Sequence, residues 1–274
     1  MAGVKRYLIT GGRGYIGQNM YYCGDWLKEE TDVSFSLCDY GTDLPAAHML
    51  TKEIVRNFDG VIHFAALSGI AACEEDPWRA INDNVMSAGK VFEICSELGI
   101  PVVFTSSQAA KDPQSSMYAN VKHTCENLAN YFNRYGGKNY VVRLANVYGG
   151  YKYLKKKQTC IKQFVTNYAI GKNFIIHGDG KQERDFVNVY DVCEAIYRLL
   201  TIQPDYFKPI DIGTGIGHTI MNVVDMFPPH VFEFTCSRSA GAQSSVANTY
   251  ILEKLTGFKP ERKLEDYIKE MSRK

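Results

Sequence analysis

Leu8-Ile9-Thr10-Gly11-Gly12-Arg13-Gly14-Tyr15-Ile16-Gly17 is the stretch that decides the fold of this chain. It joins an apolar run from Val4 to Thr10, which predicts a strand, to a run from Tyr15 to Glu29 that predicts a helix. Glycine recurs at every third position: the first allows the tight turn, the second admits a pyrophosphate, and the third lets the helix pack on the strand. These glycines are Gly11, Gly14 and Gly17. The pattern predicts a dinucleotide phosphate site at the helix N-terminus, with an ordinary glycine-rich turn as the alternative.

Strand and helix patterns alternate along the first half of the chain. Strands are predicted at Val33 to Cys38, Gly60 to Phe64, Pro101 to Phe104 and Tyr140 to Leu144, and helices at Pro77 to Leu98 and Ser116 to Tyr135. After Val147, short strands (Phe174 to His177, Ile210 to Ile212 and Val231 to Cys236) mix with helices. This predicts an α/β protein: a doubly wound parallel sheet (Rossmann fold) with a small, mixed C-terminal substrate lobe. We expect a dinucleotide-binding domain over residues 1–147, with 184–213 returning to it, and a substrate-binding lobe over 148–183 and 214–274.

The charges of the chain nearly balance, with 31 Lys and Arg against 30 Asp and Glu. This balance gives no reason to expect nucleic acid or a membrane surface as a partner. The eight cysteines contain no Cys-x-x-Cys pair, which favours buried free thiols in a reducing compartment over a disulfide framework or a metal site. The first strand begins at once, so we expect no signal peptide, and no apolar run is long enough to span a bilayer. These features predict a cytoplasmic protein.

A carboxylate follows the second predicted strand. Asp39 lies 22 residues after Gly17, where an acidic residue can accept hydrogen bonds from an adenosine ribose and so favours NAD. The alternative is an aspartate that only caps a loop. Arg13, inside the glycine turn, can meet a 2′-phosphate, which keeps NADP open as a second cofactor; a solvated arginine is the other interpretation.

A tyrosine and a lysine four residues apart, Tyr118 and Lys122, share one face of a predicted helix. The ammonium can stabilise the phenolate, so that the tyrosine loses its proton near neutral pH. Ser107 lies 11 residues before Tyr118, at the carboxyl end of a predicted strand, where ligands gather in doubly wound sheets. Its hydroxyl can bond the same substrate oxygen. A Tyr-x-x-x-Lys pair is common by chance, but the three residues in this order after the glycine turn predict a catalytic set.

Short segments spread over nearly the whole chain carry a shared pattern. They are Thr10-Gly11-Gly12-Arg13-Gly14-Tyr15-Ile16-Gly17, Asp59-Gly60-Val61-Ile62-His63-Phe64-Ala65-Ala66, Asn84-Val85, Arg143-Leu144-Ala145-Asn146-Val147-Tyr148-Gly149, Arg184-Asp185-Phe186-Val187 and Leu255-Thr256-Gly257-Phe258-Lys259-Pro260. Together they resemble the extended short-chain dehydrogenase/reductases, in particular the NAD-dependent sugar epimerase/dehydratase group and its UDP-glucose/galactose 4-epimerase-like members.

The resemblance implies a role for each matching residue. NAD would contact Gly11, Gly14, Tyr15, Ile16, Gly17, Asp39, Ala65, Ala66, Asn84, Tyr118 and Lys122, with Asp43 and Leu44 beside the adenine. Tyr118 would be the acid/base, Lys122 its partner and Ser107 the second hydrogen-bond donor. The substrate would contact Ser107, Gln108, Asn146, Arg184 and Arg238. Arg184 would pair with a phosphate of a nucleotide-sugar, a task that suits a bidentate guanidinium; a structural bridge to Asp185 or Asp191 is the alternative. No metal is expected.

The chain departs from this family in two places. Dehydratases and decarboxylases of the family carry an acid just after the catalytic Ser or Thr, whereas here Gln108 and Ala109 follow Ser107, and neither can act as a general acid or base. The family also places about two dozen residues between the catalytic Ser and Tyr, whereas here a short Lys111-Asp112-Pro113-Gln114-Ser115 segment stands. The region after Asp39 is short too, so the family's third strand is expected to be missing. We expect a more open substrate pocket.

What remains is chemistry that Ser, Tyr and Lys can perform alone. We expect a nucleotide-sugar epimerase that inverts C4 of a UDP-hexose through a transient keto intermediate with bound NAD. The alternatives are an NAD(P)H-dependent reductase of a keto-sugar nucleotide and a non-catalytic nucleotide-binding regulator. The resemblance also implies a homodimer that pairs through the two long helices. An apolar stripe on the first helix, formed by Val85, Ala88, Phe92 and Cys95, favours this; packing of the stripe on the sheet is the alternative.

Overall fold

The computed structural model describes residues 4–30, 33–39, 46–150, 159–236 and 243–273, and for residues 23–30 it describes the backbone alone. The strands are β1 (Lys5–Thr10), β2 (Val33–Cys38), β3 (Gly60–His63), β4 (Val102–Ser107), β5 (Asn139–Leu144), β6 (Asn146–Tyr148), β7 (Phe174–His177), β8 (Glu183–Asn188), β9 (Ile210–Ile212), β10 (Gly217–Thr219), β11 (Phe232–Thr235) and β12 (Ser244–Ser245). The α-helices are α1 (Tyr15–Glu30), α2 (Lys52–Val55), α3 (Ile70–Glu75), α4 (Pro77–Ala80), α5 (Ser87–Leu98), α6 (Met117–Asn133), α7 (Cys160–Ala169), α8 (Val189–Ile202), α9 (Ile220–Asp225), α10 (Tyr250–Thr256) and α11 (Leu264–Met271).

Six of the described strands form one parallel sheet in the order β2-β1-β3-β4-β5-β9. Lys5 of β1 lies opposite Val33 of β2, and Tyr7 lies opposite Gly60 of β3. The chain runs from β1 outward to β2 and then returns across β1 to β3, so the strand order reverses between β1 and β3. In open α/β sheets, ligands bind at the carboxyl ends of the strands beside such a reversal. The predicted doubly wound parallel sheet is confirmed, and its topology positions a ligand crevice.

The outer edge of this sheet is short. Within the described residues β2 is the outermost strand, whereas the common dinucleotide-binding order has a third strand outside the second. A 3-10 helix (Ala47–Met49) and α2 lead from this edge into β3, and residues 40–45 lie outside the described ones. The sequence predicted that the family's third strand is missing, and the part of the chain that the structure describes has no strand outside β2.

Successive residues of the central strands enter two hydrophobic cores, one on each face of the sheet. Ile9 packs in one core with Ile196 and Leu199 of α8. Leu8, its neighbour in β1, packs in the other core with Phe92 of α5. All five side chains have 0 % exposed surface. Burying one such side chain contributes about 1.5 to 3 kcal/mol, so the near-continuous apolar strands dictate helices on both faces.

The predicted helical run from Pro77 to Leu98 is confirmed in its extent, but it is not α-helical throughout. The structure has α4, then a π-helix (Ile81–Met86), then α5. The apolar stripe that favoured a dimer faces inward: Ala88, Phe92 and Cys95 each have 0 % exposed surface, and Val85 packs against the same core. The alternative, that the stripe packs within the protomer, is the one that the structure shows. A π-helix often marks a functional site.

The remaining described strands form two small sheets. β8 pairs with β10, β12 and β6, and β11 pairs with β7. β9 instead pairs with β5 and joins the large sheet. Tyr148 ends β6 with 0 % exposed surface. The division into two domains stays a prediction. Of the 184–213 segment expected to return to the first domain, β9 joins the large sheet, whereas β8 lies in a small one.

Seven cysteines in the described residues are free, and five of them are buried: Cys38, Cys73, Cys95, Cys125 and Cys193. They occupy apolar positions of strands and helices, where a thiol behaves as a small hydrophobic group. None of the helices in the described ranges combines the length and apolar character that a membrane crossing requires.

Candidate active site

A cavity of about 950 Å³ opens at the carboxyl ends of the large sheet. The residues that follow β1, β2, β3, β4 and β5 all reach it. Predicted site residues that line it are Gly11, Gly14, Tyr15, Ile16, Gly17, Asp39, Ala65, Ala66, Ser107, Gln108, Tyr118, Lys122, Asn146 and Arg184. The crevice expected from the strand order therefore holds most of the residues selected from the sequence. In the described ranges no three His, Cys, Asp or Glu side chains form a group suited to a metal ion.

The glycine turn packs so tightly against neighbouring backbone that two of its positions leave no space for a side chain. Gly11 has a φ of +66°, and a Cβ there would lie 2.6 Å from the backbone nitrogen of Ala65, at the end of β3. A Cβ on Gly17 would lie 2.5 Å from the carbonyl oxygen of Gly11. Gly14 donates its N–H to that same carbonyl at 2.9 Å and is exposed to the cavity. The backbone thus forms a cradle without side chains at the start of α1, which fits the pyrophosphate of a dinucleotide.

Tyr15 connects this turn to the small-sheet half of the cavity. Its hydroxyl donates a hydrogen bond to the carbonyl of Gly149 at 2.6 Å. Burial raises the pKa of the Tyr15 phenol, so it remains a donor. A Cβ on Gly150 would lie 2.4 Å from the Asn19 side chain of α1, so the two glycines allow a close approach of this loop to the helix.

Asp39 lies where the sequence predicted it, at the end of β2 and on the cavity wall. One of its carboxylate oxygens accepts the backbone N–H of Arg13 at 2.9 Å. The Arg13 residue itself is exposed. The carboxylate is therefore held beside the glycine turn, which is the geometry required to meet a ribose.

Four predicted residues are not seen on the cavity wall. Asp43, Leu44 and Arg238 lie outside the described residues. Asn84 lies in the π-helix with 1 % exposed surface, behind the wall. Its side-chain N–H₂ donates to the carbonyls of Leu67 (3.2 Å) and Ala80 (2.8 Å), so it supports the segment after β3.

The acid/base candidate Tyr118 is hydrogen-bonded to Ser107, the residue predicted to bond the same substrate oxygen. The expected ionisation near neutral pH is wrong for the protein by itself. Burial raises the pKa of Tyr118 to about 12, and the nearby thiol of Cys73 also raises it, against the lowering by the Ser107 hydrogen bond. Desolvation disfavours the phenolate more strongly than the serine favours it.

Lys122, the predicted partner of Tyr118, is 3 % exposed and lies above the end of β4. Its ammonium donates to the carbonyl oxygen of Thr105 at 2.8 Å and lies 4.9 Å from the centre of the Phe104 ring. β4 therefore carries Ser107 and also fixes Lys122, so that the two groups keep one relative position.

The position after Ser107 carries no acid. Gln108 is 7 % exposed, and its side-chain N–H₂ donates to the carbonyl of Arg143 at 3.1 Å. Ala109 donates its backbone N–H to the Ser107 hydroxyl at 3.2 Å. The two residues therefore shape the start of the short segment and supply no proton donor at this position.

Arg184 lines the small-sheet half of the cavity. It donates to the carbonyls of Glu183 (2.7 Å) and Gln243 (3.5 Å). The alternative structural bridge is not made: Asp185 accepts from Thr214, Gly215 and Ala247, and Asp191 pairs with Arg262. Asn146 is exposed on β6 in the same cavity. A guanidinium bonded only to carbonyls in these contacts can turn toward an anionic ligand.

Two polar pairs at the site were missed by reasoning from the sequence. Lys111, on the short segment, lines the cavity and reaches Asp211 of β9 at 2.6 Å. A separation of 100 residues leaves no local signal for this pair. The second pair, Glu126 with Arg143, lies beneath the site. Its signal was available, because Glu126 follows Lys122 by one helical turn and Arg143 opens one of the quoted segments.

Comparisons with known proteins agree with this geometry. The sequence model of the NAD dependent epimerase/dehydratase family matches residues 7–213. The chain is 25% identical to a UDP-glucose 4-epimerase of Mycoplasma genitalium, over 98% of this chain and 96% of that protein. It is 24% identical to a UDP-glucuronate 4-epimerase of Thermodesulfobacterium geofontis, over 97% of this chain and 90% of the other.

The fold also matches a solved structure. A UDP-N-acetylglucosamine 4-epimerase from Methanobrevibacter ruminantium M1, in complex with UDP-N-acetylmuramic acid, superposes with a TM-score of 0.85 at 24% identity. The match covers 99% of this chain and 98% of that one.

Proposed function

The chain belongs to the NAD-dependent epimerase/dehydratase family, and on this premise we propose that it is an NAD-dependent 4-epimerase of a UDP-hexose. Support comes from the UDP-sugar 4-epimerases among its relatives and from the contents of the cavity. Because those identities are low, the proposal rests on what the residues of this chain can do.

One observation carries the proposal. The Ser107–Tyr118 hydrogen bond lies in the same cavity as the glycine cradle, and the positions that hold an acid in family dehydratases are Gln108 and Ala109. A proton donor and acceptor is thus present for a sugar hydroxyl, but water elimination has no acid at these positions. Removal and return of hydride at one carbon needs only these proton-transferring groups together with bound NAD as the hydride acceptor and donor.

NAD is the cofactor of this family, and the described residues fit it. Gly11, Gly14 and Gly17 would hold the pyrophosphate at the start of α1, and Asp39 would bind the adenosine ribose. When bound, NAD supplies a hydride acceptor and donor and a positive nicotinamide ring near the reacting carbon.

The chain supplies the proton chemistry and the orientation of the sugar. Tyr118 takes the proton of the reacting hydroxyl and returns it, while Ser107 bonds the same oxygen. Lys122 stabilises the phenolate and holds the nicotinamide ribose. Arg184 binds a phosphate of the nucleotide, and Asn146, Gln108 and Arg238 complete the substrate contacts. The pKa of Tyr118 is about 12 without ligand. The positive charges of Lys122 and of the bound nicotinamide ring would lower this pKa and so allow the phenolate to form.

A reductase of a keto-sugar nucleotide is the second candidate. The exposed Arg13 beside Asp39 favours it, because a cation there can accept the 2′-phosphate of NADPH. The two functions differ in stoichiometry. An epimerase leaves the cofactor unchanged, whereas a reductase consumes one reduced cofactor for each sugar.

The test is incubation of the purified protein with UDP-galactose, with no cofactor and with added NADH or NADPH. We expect UDP-glucose to form at unchanged absorbance at 340 nm. Loss of absorbance in step with a keto-sugar substrate would support the reductase instead. Cofactor binding without turnover of any nucleotide-sugar would support the non-catalytic regulator.

We further propose a cytoplasmic homodimer. The five buried free thiols suit a reducing compartment. The outer surface of the helices beside the cavity still offers apolar contacts, since Met86 is 62 % and Tyr131 is 53 % exposed. A mass near that of one 30.9 kDa chain by light scattering at micromolar concentration would contradict the dimer.

A further inference from the structure

A buried ion pair lies directly beneath the candidate catalytic residues. Arg143 of β5 donates from Nε and Nη2 to the two carboxylate oxygens of Glu126, at 2.9 and 2.6 Å. The hydroxyl of Ser106 donates to the same carboxylate at 2.5 Å. The side chains of Arg143 and Glu126 are 19% and 5% exposed, and neither residue lines the cavity. The pair therefore acts, if at all, through its neighbours.

The neighbour that matters is Lys122. It lies four residues before Glu126 on α6, so the two side chains share one face of the helix. Both residues are buried, with 3 % and 6 % exposed surface. Opposite charges at this spacing attract, and the attraction grows as the surroundings lose water. An uncompensated Glu126 would therefore draw the ammonium toward the next turn of the helix.

In the structure, Lys122 and Glu126 each bond other groups instead of each other. Both oxygens of Glu126 are occupied by Arg143, with Ser106 as a further donor, and Lys122 donates to the Thr105 carbonyl at the end of β4. Arginine suits this task because its planar fork binds both oxygens of a carboxylate at once.

We propose that Arg143 is a positioning residue: by holding Glu126, it keeps the Lys122 ammonium at the cavity end of α6, where it can serve Tyr118 and the cofactor. The inference rests on the role of Lys122 in the proposed function. It differs from a purely structural role, in which the pair only fastens α6 to β5. In the purely structural case, the arginine variants lose melting temperature, but the folded protein binds NAD with the affinity of the parent.

The test uses NAD affinity, measured by calorimetry without any sugar. Arg143→Met leaves Glu126 without its partner, and we expect NAD to bind at least about ten-fold more weakly, as for loss of one charge-assisted hydrogen bond. Glu126→Gln alone removes the competing charge, and we expect its affinity to stay within about three-fold of the parent. The double variant Arg143→Met/Glu126→Gln is expected to recover the affinity of Glu126→Gln. The turnover number should follow the same order.

The matched control is Arg198→Met, which breaks another Arg–Glu pair, with Glu194 of α8, away from the cavity. It is expected to leave NAD affinity unchanged. Because Arg143→Met leaves the buried Glu126 carboxylate with no opposite charge and only the Ser106 hydroxyl as a donor, it can fail to fold. Arg143→Lys, which keeps the charge and loses the fork, then replaces it, with a smaller loss that Glu126→Gln again removes.

A double variant that binds NAD as weakly as Arg143→Met or Arg143→Lys would overturn the proposal, and so would single arginine variants with unchanged affinity. The test of Arg143 can be decided independently of the epimerase assignment. If the parent binds NAD but converts no nucleotide-sugar, the epimerase assignment fails, while the order of NAD affinities still decides the role of Arg143.

Discussion

The carboxylate of Asp39 accepts a hydrogen bond from the backbone N–H of Arg13, with 2.9 Å between oxygen and nitrogen. The contact joins the end of β2 to the glycine turn across 26 residues of sequence. It fixes a negative charge beside the turn that would hold a pyrophosphate. The Arg13 residue, in contrast, is exposed to solvent.

This arrangement predicts that NAD binds more tightly than NADP. A 2′-phosphate would meet the Asp39 carboxylate, and repulsion between like charges near a protein surface costs enough to weaken binding at least about ten-fold. Asp39→Ala is expected to reduce the difference between the affinities for NAD and NADP. Calorimetric titration with both cofactors measures it. Tighter binding of NADP by the parent would contradict the prediction and make Arg13 a 2′-phosphate ligand.

Tyr118→Phe is expected to lower the turnover number by about 10² to 10⁴-fold, because it removes the proton acceptor and little else. Its NAD affinity should stay close to that of the parent. Lys122→Ala should lower both the turnover number and the NAD affinity, because the ammonium stabilises the phenolate and binds the ribose. Steady-state kinetics and calorimetry on the two variants measure these effects. Near-normal turnover in Tyr118→Phe would show that the assigned acid/base is wrong.

The chemistry of the cleft could be predicted from sequence where the signal is local. The glycine spacing, the apolar strand runs and the four-residue separation of Tyr118 and Lys122 each report a geometry within one or two elements. The ionisation of Tyr118 could not be predicted in this way. It depends on how much water the folded chain removes from the phenol, and that follows from packing of distant segments such as the one with Cys73.

Arg184→Ala is expected to weaken nucleotide-sugar binding by about one to two orders of magnitude, because a charge-assisted contact contributes about 1.5 to 3 kcal/mol. NAD affinity should not change, since Arg184 lies on β8 of a small sheet, whereas the glycine turn follows β1 of the large sheet. Titration with UDP-glucose and NAD in parallel measures both effects. A stable variant that binds UDP-glucose as the parent does would reopen the substrate class.

Sequence patterns missed two features that depend on contacts with distant parts of the chain: the π-helix and the orientation of the apolar stripe. Residues 77–98 have a continuous helical pattern, and nothing local announces the π-helix at Ile81–Met86, where Asn84 bonds the carbonyls of Leu67 and Ala80. The inward orientation of the stripe with Phe92 is equally a tertiary fact, because an apolar face fits a sheet or a second subunit alike.

His63 makes the stability depend on pH in a defined direction. Its ring bonds the Thr10 hydroxyl at 2.6 Å. Burial lowers the pKa of His63 from 6.5 to about 3, and the nearby charge of Lys122 adds to the lowering. Between these values the unfolded chain binds a proton that the folded chain refuses, so stability falls as the pH drops through this window.

The matched variant is His63→Gln, which cannot titrate there. Calorimetry is expected to show a larger loss of melting temperature for the parent than for His63→Gln between pH 6.5 and pH 4. Carboxylates that titrate in the same range affect both proteins and cancel in the comparison. Parallel losses in the two proteins would show that His63 does not control this transition.

In the proposed reaction, hydrogen leaves and returns at C4 of one nucleotide-sugar within one cavity. UDP-glucose deuterated at C4, incubated with the protein as purified and without added cofactor, tests it most directly. Proton NMR and mass spectrometry of the product report both configuration and label. We expect UDP-galactose that keeps deuterium at C4, and we expect Tyr118→Phe to form it more slowly than the parent does. A product without deuterium at C4, or unchanged UDP-glucose in the presence of tightly bound NAD, would contradict it.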